Sequence, residues 1–223
     1  MSRCHIDHIT VTAPSLEAGS KFILHALGVE PQTGGEHPRM GTHNLLLRLD
    51  ESLFLEIIAP NPRVPAPERP RWFGLDSLRP DSLPGLSTWV VRTTNIRSTT
   101  AACTELLGDI EPMSRGDLNW LITIPADGSV PLNGVAPALI EWHTDVHPSS
   151  KLQDFGLSLV ELKIFHPETA RVSRLLASIG LEGPFAVATP SGNAAPHLLA
   201  CINTPLGFRH LCSPNLFFEL PNA

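Results

Sequence analysis

Three glutamates follow two or three apolar residues in short segments that resemble one another. The segments read LFLEII, ALIEWH and LFFELP, and they place Glu56, Glu141 and Glu219 at equivalent positions. A carboxylate held in an apolar strand can bind a divalent metal or act as a general base. A glutamate in such a strand can equally be an outward-facing polar residue, and we favour that interpretation for Glu219, near the chain end.

A histidine in the first predicted strand is a further group that could do chemistry. The segment HIDHITVT alternates approximately between apolar and polar residues, as a half-buried strand does. His8 lies on the opposite face from Ile9, and Glu56 lies opposite Ile57, so the two polar side chains can share one face of a sheet. His8 could equally be a hydrogen-bonded structural histidine.

The elements that must position these groups form a recognisable unit. Ser15 is a suitable N-cap for a helix over LEAGSKFILHAL, whose apolar residues lie on one face, and Gly28 ends it. A glycine-rich turn, the strand HNLLLRL, a tight DES turn and the strand FLEIIA follow. The first sixty residues therefore predict a β-α-β-β-β unit.

The same order of elements occurs twice more. LSTWVVRTTN, IRSTTAACTELLG, NWLITIP and PALIEWH read as a strand, a helix and two strands. LSLVELKIF, PETARVSRLLASIG, HLLACIN and NLFFEL repeat that order a third time. Residues 61–83 are rich in proline and arginine and lack periodicity, which predicts a linker.

Composition excludes several classes of protein. Charged residues are 17%, apolar residues are 42% and the net charge is −6, which indicates a globular protein and argues against a nucleic-acid partner. No apolar run approaches the roughly 20 residues of a membrane span, and the N-terminus lacks a signal-peptide pattern. Four scattered cysteines without CxxC spacing indicate reduced thiols and a cytoplasmic location. The nucleotide-binding, serine-nucleophile and zincin motifs are missing.

Several segments of the chain resemble a known family. IDHITVTAPSLEAGSKF, HPRMGTHNLLLRL and LFLEIIAP, in that order, are similar to the glyoxalase-like domain of the vicinal oxygen chelate superfamily, which includes glyoxalases, bleomycin resistance proteins and dihydroxybiphenyl dioxygenases. The resemblance implies an α+β fold whose βαβββ modules pair into a curved mixed sheet enclosing a cleft. We expect residues 1–150 to form this domain from modules at about 1–60 and 84–148. Residues 151–223 are expected to form a third βαβββ-like module.

The resemblance also implies a divalent metal held by the first and last strands of each module. It places His8 and Glu56 as ligands in the first module and Glu141 in the second. The remaining position falls on Thr88, beside Trp89, and neither is a convincing ligand, so the chain departs from a four-ligand site. One imidazole and two carboxylates, with positions open for water and substrate, suit Fe, Mn, Ni or Zn.

Further residues are candidates for contacts with a substrate. HPRMGTHN resembles the family more closely than a strand pattern requires, although it could equally be a turn that leads into a strand. His143 would share the strand face of Glu141, and it is a reserve metal ligand. The candidates for substrate binding are His37, His43, Asn44, Trp89 and His143.

The function expected from these residues is a divalent-metal-dependent enzyme of lyase or isomerase type that acts on a small oxygen-bearing substrate. Glu56 and Glu141 would then be catalytic, and dioxygenase chemistry is less favoured. The alternative is a metal-free protein of the same fold that binds or sequesters a small molecule, and a purely structural role is a third. An odd third module leaves a sheet without a partner, which predicts either a homodimer or packing of this module on the outside of the first pair.

Overall fold

The β-α-β-β-β unit predicted for the start of the chain is present in the computed structural model, which describes residues 3–214. Its helix begins where the Ser15 side chain accepts a hydrogen bond from the N–H of Ala18 at 3.2 Å. The helix ends at Gly28, whose φ of 74° favours glycine. The elements are β1 (Cys4–Thr12), α1 (Leu16–Leu27), β2 (Gln32–His37), β3 (Thr42–Asp50) and β4 (Leu53–Pro60).

The second unit follows the same order, with a shorter helix than predicted. The chain becomes extended at Cys103, then exposes Leu106 and buries Leu107, so the helix ends before the predicted Gly108. Its elements are β5 (Gly85–Arg92), α2 (Ile96–Ala102), β6 (Asp109–Arg115), β7 (Leu118–Ile124), α3 (Pro131–Gly134) and β8 (Ala138–Trp142). Within residues 3–214, no helix is long and apolar enough to cross a membrane.

Two strands to which the sequence analysis assigned no segment, β2 and β6, lie at the two ends of one large sheet. The strand order is β2-β3-β4-β1-β5-β8-β7-β6. β2 contains Gly34 and Gly35 and therefore resembled a turn, while Pro112 interrupts the pattern of β6. Edge strands tolerate such residues because one side of an edge has no ladder partner.

The large sheet curls into a half-barrel whose ends meet. β2 and β6 contact each other. Near this junction Arg39 donates to the Glu111 carboxylate and to the backbone oxygen of Pro112. Arg69, from the predicted linker, binds the same carboxylate. The α+β fold with a curved mixed sheet is therefore confirmed.

The two faces of this sheet pack into separate apolar clusters. Ile57 and Trp89 belong to the larger cluster, on the outer face beneath the helices and the second sheet. Their chain neighbours Ile58 and Val90 belong to the smaller cluster, on the inner, concave face. Because successive side chains of a strand alternate between faces, this alternation decides which residues reach the cleft.

The described part of residues 151–223 forms a second sheet with the order β11-β9-β12-β13. Its apolar residues join the outer cluster, and β10 pairs with β1 in parallel. The elements are β9 (Ser158–Phe165), α4 (Thr169–Ser178), β10 (Leu181–Glu182), β11 (Phe185–Ala188), β12 (His197–Thr204) and β13 (Gly207–Cys212). The predicted strand NLFFEL, with Glu219, lies outside the described residues. The domain boundaries and the homodimer stay predictions.

The predicted linker folds over the mouth of the half-barrel. It contains a short 3-10 turn, Trp72–Ser77, in which Phe73 has a φ of 60° and Gly74 a φ of 66°. The left-handed conformation is unfavourable for a bulky residue such as Phe73, so the surrounding packing must hold it in place. The turn brings Trp72 and Phe73 to the cleft.

Candidate functional site

The concave face of the half-barrel forms a cleft whose empty space, together with the solvent at its mouth, is about 390 Å³. Four predicted site residues, His8, His37, Asn44 and Glu56, line it together. They come from β1, β2, β3 and β4, so the first module supplies all four. The second module contributes Arg115 and aromatic and aliphatic side chains.

His8 is held by a buried carboxylate from the residue before it. Asp7 is fully buried, and its Oδ1 lies 2.6 Å from His8 Nδ1. Its Oδ2 accepts from Trp142 Nε1 at 2.9 Å and lies 2.9 Å from His147 Nε2. An ionised carboxylate only accepts hydrogen bonds, so His8 Nδ1 carries a proton and donates. His8 therefore directs Nε2 towards Glu56.

The charge on Asp7 is maintained by its neighbours. Burial alone would raise the pKa of Asp7, but the hydrogen bonds and positive charges of His147 and His8 outweigh that effect and lower the pKa far below its usual range. Asp7 is therefore a carboxylate at every physiological pH.

Glu56 faces His8 across the floor of the cleft. Glu56 Oε2 lies 3.7 Å from His8 Nε2, and Thr10 Oγ1 donates to the same oxygen at 3.4 Å. Asn44 Nδ2 donates to the other oxygen, Oε1, at 2.6 Å. Only 5% of each of His8 and Glu56 is exposed, so water screens the pair weakly. The pair can exchange a proton with a ligand placed between the two side chains.

Arg115 and His37 continue this polar network. Arg115 Nη1 lies 3.2 Å from Asn44 Oδ1 and 3.3 Å from His37 Nε2. Since a guanidinium only donates, His37 Nε2 accepts and His37 Nδ1 carries the proton, which it gives to Thr42 Oγ1 at 3.2 Å. Burial, together with the charge of Arg115, lowers the pKa of His37 to about 3. His37 is therefore a neutral imidazole.

We expect His37 to make the protein less stable in mild acid. The unfolded chain protonates this histidine near pH 6.5 while the folded chain does so only near pH 3, so falling pH favours unfolding between these values. This effect removes about 2 kcal/mol of unfolding free energy between pH 7 and pH 5. Urea unfolding at both pH values should therefore show a smaller decrease for His37→Gln than for the wild type.

The exposed His25 provides a matched control for this experiment. His25→Gln should show the same loss of stability between pH 7 and pH 5 as the wild type. Equal losses in all three proteins would contradict the neutral, buried state of His37.

Aromatic side chains form the walls of the cleft. Trp120 and Trp142 have ring centroids 5.3 Å apart, and Trp72 stacks on Phe73 at 5.2 Å. Phe54 stacks on the His8 ring at 4.5 Å. These walls limit access of water and match the flat, apolar portion of a small organic molecule.

The other predicted site residues lie elsewhere. Trp89 is fully buried in the outer apolar cluster, and its Nε1 donates to the backbone oxygen of Val135 at 2.9 Å. His43 follows the strand alternation away from the cleft, and its buried Nε2 has no hydrogen-bond partner among residues 3–214. Neither Trp89 nor His43 therefore lies in the cleft, where contacts with a substrate were expected.

Glu141 and His143 form a separate pair on the outer face of β8. Glu141 Oε2 accepts from the N–H of Ile96 at 2.6 Å, at the beginning of α2, and Glu141 Oε1 lies 3.0 Å from His143 Nε2. The inner positions on either side of Glu141 belong to Ile140 and Trp142, which line the cleft. The structure therefore does not bring Glu141 to His8 and Glu56, because alternation along β8 places the Glu141 side chain on the outer face.

The donor set does not fit the predicted three-ligand metal centre. His8 and Glu56 could meet at one ion, but a catalytic metal usually has three protein ligands. In the part of the chain that the structure describes, no three His, Cys, Asp or Glu side chains are placed to hold a metal ion together.

The residue patterns did not identify three residues of the site, which are Asp7, Arg115 and Trp72. A register shift between β1 and β5, at Ile6 and His8, lets Asp7 lie on the same side as its neighbour His8. The signal was the spacing of Ile6 and Ile9, three residues apart, both in the outer cluster, which breaks a strict period of two. Arg115 and Trp72 come from an edge strand and a linker, where no periodicity points to a cleft.

Comparisons with known proteins support this architecture. The glyoxalase-like domain model matches residues 6–180. A solved structure described as a hypothetical protein from Staphylococcus aureus aligns with a TM-score of 0.57 and 12% identity, covering 86% of this chain and 87% of that one. No curated protein matches the chain.

Two methylmalonyl-CoA epimerase structures are more distant. One, in complex with methylmalonyl-CoA and NH4+, has a TM-score of 0.45 and 16% identity, covering 66% of this chain and 99% of that one. The enzyme from Mycobacterium tuberculosis has a TM-score of 0.41 and 14% identity, covering 61% and 86%. The family model spans well over half of the 223 residues, and the chain therefore belongs to the glyoxalase-like domain family of the vicinal oxygen chelate superfamily.

Proposed function

We propose that this protein is an enzyme of isomerase type that moves a proton on a small molecule, at a carbon beside a carbonyl group. The observation that carries the proposal is the pair formed by His8 Nε2 and Glu56 Oε2, 3.7 Å apart on the floor of a largely aromatic cleft. An acid and a base that both reach one buried ligand are the minimum requirement for this reaction.

The two residues have different parts in the reaction. Glu56 removes the proton from the carbon, the electron pair of the C–H bond forms a C=C bond, and the carbonyl oxygen takes the negative charge. Protonated His8 donates from Nε2 to that oxygen, with the carboxylate of Asp7 stabilising its positive charge from behind. Return of a proton to carbon and of the oxygen-bound proton to His8 completes an isomerisation without any change of oxidation state.

Proton exchange with solvent tests this proposal without knowledge of the natural substrate. Small 2-oxo acids, ketones and 2-hydroxyaldehydes would be incubated with the protein in D2O and followed by proton NMR. We expect at least one of them to lose the signal of the hydrogen beside its carbonyl group faster than without protein. Failure of every compound to exchange, including compounds shown to bind, would overturn the proposal.

The proposed chemistry does not need the Fe, Mn, Ni or Zn ion that the resemblance implied. We expect the exchange rate to be unchanged after dialysis against EDTA, and unchanged after each of the four ions is added back, because Glu56 and His8 carry the proton steps themselves. Elemental analysis of the same samples measures the metal that remains. Loss of exchange with EDTA and recovery with one ion would contradict this prediction.

The second candidate is binding or sequestration of a small molecule. The aromatic walls favour it, since Trp72, Phe73, Trp120 and Trp142 provide apolar surface that proton transfer does not require. A ligand that binds the cleft, with no proton exchange in any compound tested, would favour this function over the enzyme.

A further inference from the structure

Arg115 brings a positive charge to the cleft without a carboxylate in contact. Its two hydrogen-bond acceptors, Asn44 Oδ1 and His37 Nε2, are both neutral groups. No Asp or Glu oxygen of residues 3–214 lies within 4.0 Å of the guanidinium. Burial lowers the pKa of Arg115, and the charge of Glu56 only partly offsets that effect from a longer distance. An arginine stays charged even so, which leaves a cation that is poorly compensated.

The chain makes room for this side chain at the edge of the sheet. A Cβ atom on Gly35 would lie 2.5 Å from Arg115 Cδ, and a Cβ atom on Gly34 would lie 2.2 Å from Asn44 Oδ1. The N–H of Gly35 donates to that same oxygen at 2.8 Å. The two glycines that looked like a turn in the sequence therefore let Arg115 and Asn44 approach β2 closely.

We infer that Arg115 anchors a negatively charged oxygen group, a carboxylate or a phosphate, on the molecule that this cleft receives. A guanidinium has five N–H donors, and within residues 3–214 only those on Nη1 have a protein acceptor. The remaining donors form a fork that matches two oxygens of an anion. This inference rests on the proposed function for the reacting centre, because the anchored molecule must extend from Arg115 to His8 and Glu56.

Asn44 separates the two charges that such a substrate would meet. Its Oδ1 accepts from Arg115, while its Nδ2 donates to Glu56 at 2.6 Å. The anion is therefore held at one end of the amide and the base at the other, which keeps the substrate charge away from the Glu56 carboxylate. The orientation that results presents the carbonyl portion of the substrate to the acid–base pair.

Two simple anions test the anchor directly. Pyruvate and methyl phosphate would be titrated separately into the wild type and into Arg115→Gln, with binding followed by tryptophan fluorescence, since Trp72, Trp120 and Trp142 line the cleft. We expect the wild type to bind at least one probe, and Arg115→Gln to bind it about tenfold more weakly or worse. The tighter probe identifies whether the group is a carboxylate or a phosphate.

The controls show whether weaker binding results from loss of the Arg115 charge or from loss of the folded structure. Arg79 has a largely exposed side chain, so Arg79→Gln should bind like the wild type. Arg115→Lys keeps the charge and should bind more tightly than Arg115→Gln, and thermal unfolding shows whether each variant is folded. Absence of binding in the wild type, equal binding in the wild type and Arg115→Gln, or equal binding in the two Arg115 variants would overturn the inference.

The inference and the proposed function fail in different ways. Proton exchange of neutral ketones as fast as that of 2-oxo acids would overturn the anion anchor and leave the acid–base pair intact. Binding of an anion that depends on Arg115, without proton exchange in any compound, would support the anchor and overturn the proposed reaction.

Discussion

Asp7→Asn is expected to lower the free energy of unfolding at pH 7 by about 3 to 5 kcal/mol, the usual cost of removing one partner from a buried ion pair. The carboxylate of Asp7 is fully buried and has three partners, on His8, His147 and Trp142. An asparagine has nearly the same shape, but it loses the charge that holds both imidazoles. Urea unfolding of the two proteins measures the difference.

The pH dependence of this difference follows from the direction of the pKa shift. The pKa of Asp7 in the folded protein lies below the value of about 3.9 in an unfolded chain. Its contribution to stability is therefore complete above about pH 4, and it is lost as the pH falls towards the folded pKa. We expect the difference in unfolding free energy between wild type and Asp7→Asn to narrow as the pH falls below about 4.

Asp117→Asn is the matched control, because it makes the same chemical change at an exposed turn. It should change the unfolding free energy by less than about 0.5 kcal/mol. Equal stability of Asp7→Asn and Asp117→Asn at pH 7 would contradict the role of Asp7 as the support of both histidines.

The sequence could predict those site residues whose position depends only on the alternation of side chains between the two faces of a strand. Glu56 stands on a regular stretch of β4, and His8 begins a regular stretch of β1 directly after the register shift. Apolar neighbours on the outer face, Ile9 and Ile57, therefore place both of them on the inner face. Glu141 was assigned by its place after two apolar residues, as in the first module. The same alternation test puts Glu141 with Leu139 on the outer face, because Ile140 faces the cleft.

The other residues of the site are positioned by contacts between segments that are far apart in the sequence, and local sequence patterns do not predict such contacts. Asp7 reaches His147 only because the segment after β8 returns to the first strand. Arg115 enters the cleft only because the sheet curls until β6 meets β2, a closure that depends on the twist of the strands between them. Trp72 depends on a linker turn with a left-handed Phe73. Each of these requires the complete tertiary structure, whereas the repeated order of strands and helices requires only short periodic segments.

His8→Gln and Glu56→Gln are each expected to slow proton exchange by about 100-fold to 10,000-fold, the range over which a positioned acid or base accelerates a reaction. The double variant should be little slower than either single variant, because the two groups act on the same proton transfer. NMR exchange rates in D2O, on whichever compound the wild type exchanges, provide the measurement.

The outer pair of Glu141 and His143 supplies a control of the same chemistry. Glu141 Oε1 and His143 Nε2 lie 3.0 Å apart, on the face of the sheet opposite to the cleft. Glu141→Gln and His143→Gln should exchange at the rate of the wild type, although Glu141→Gln should lose about 1 kcal/mol of stability because its carboxylate accepts from the first N–H of α2. A loss of exchange in Glu141→Gln as large as that in Glu56→Gln would show that Glu141 belongs to the site, and it would contradict the assignment from strand alternation.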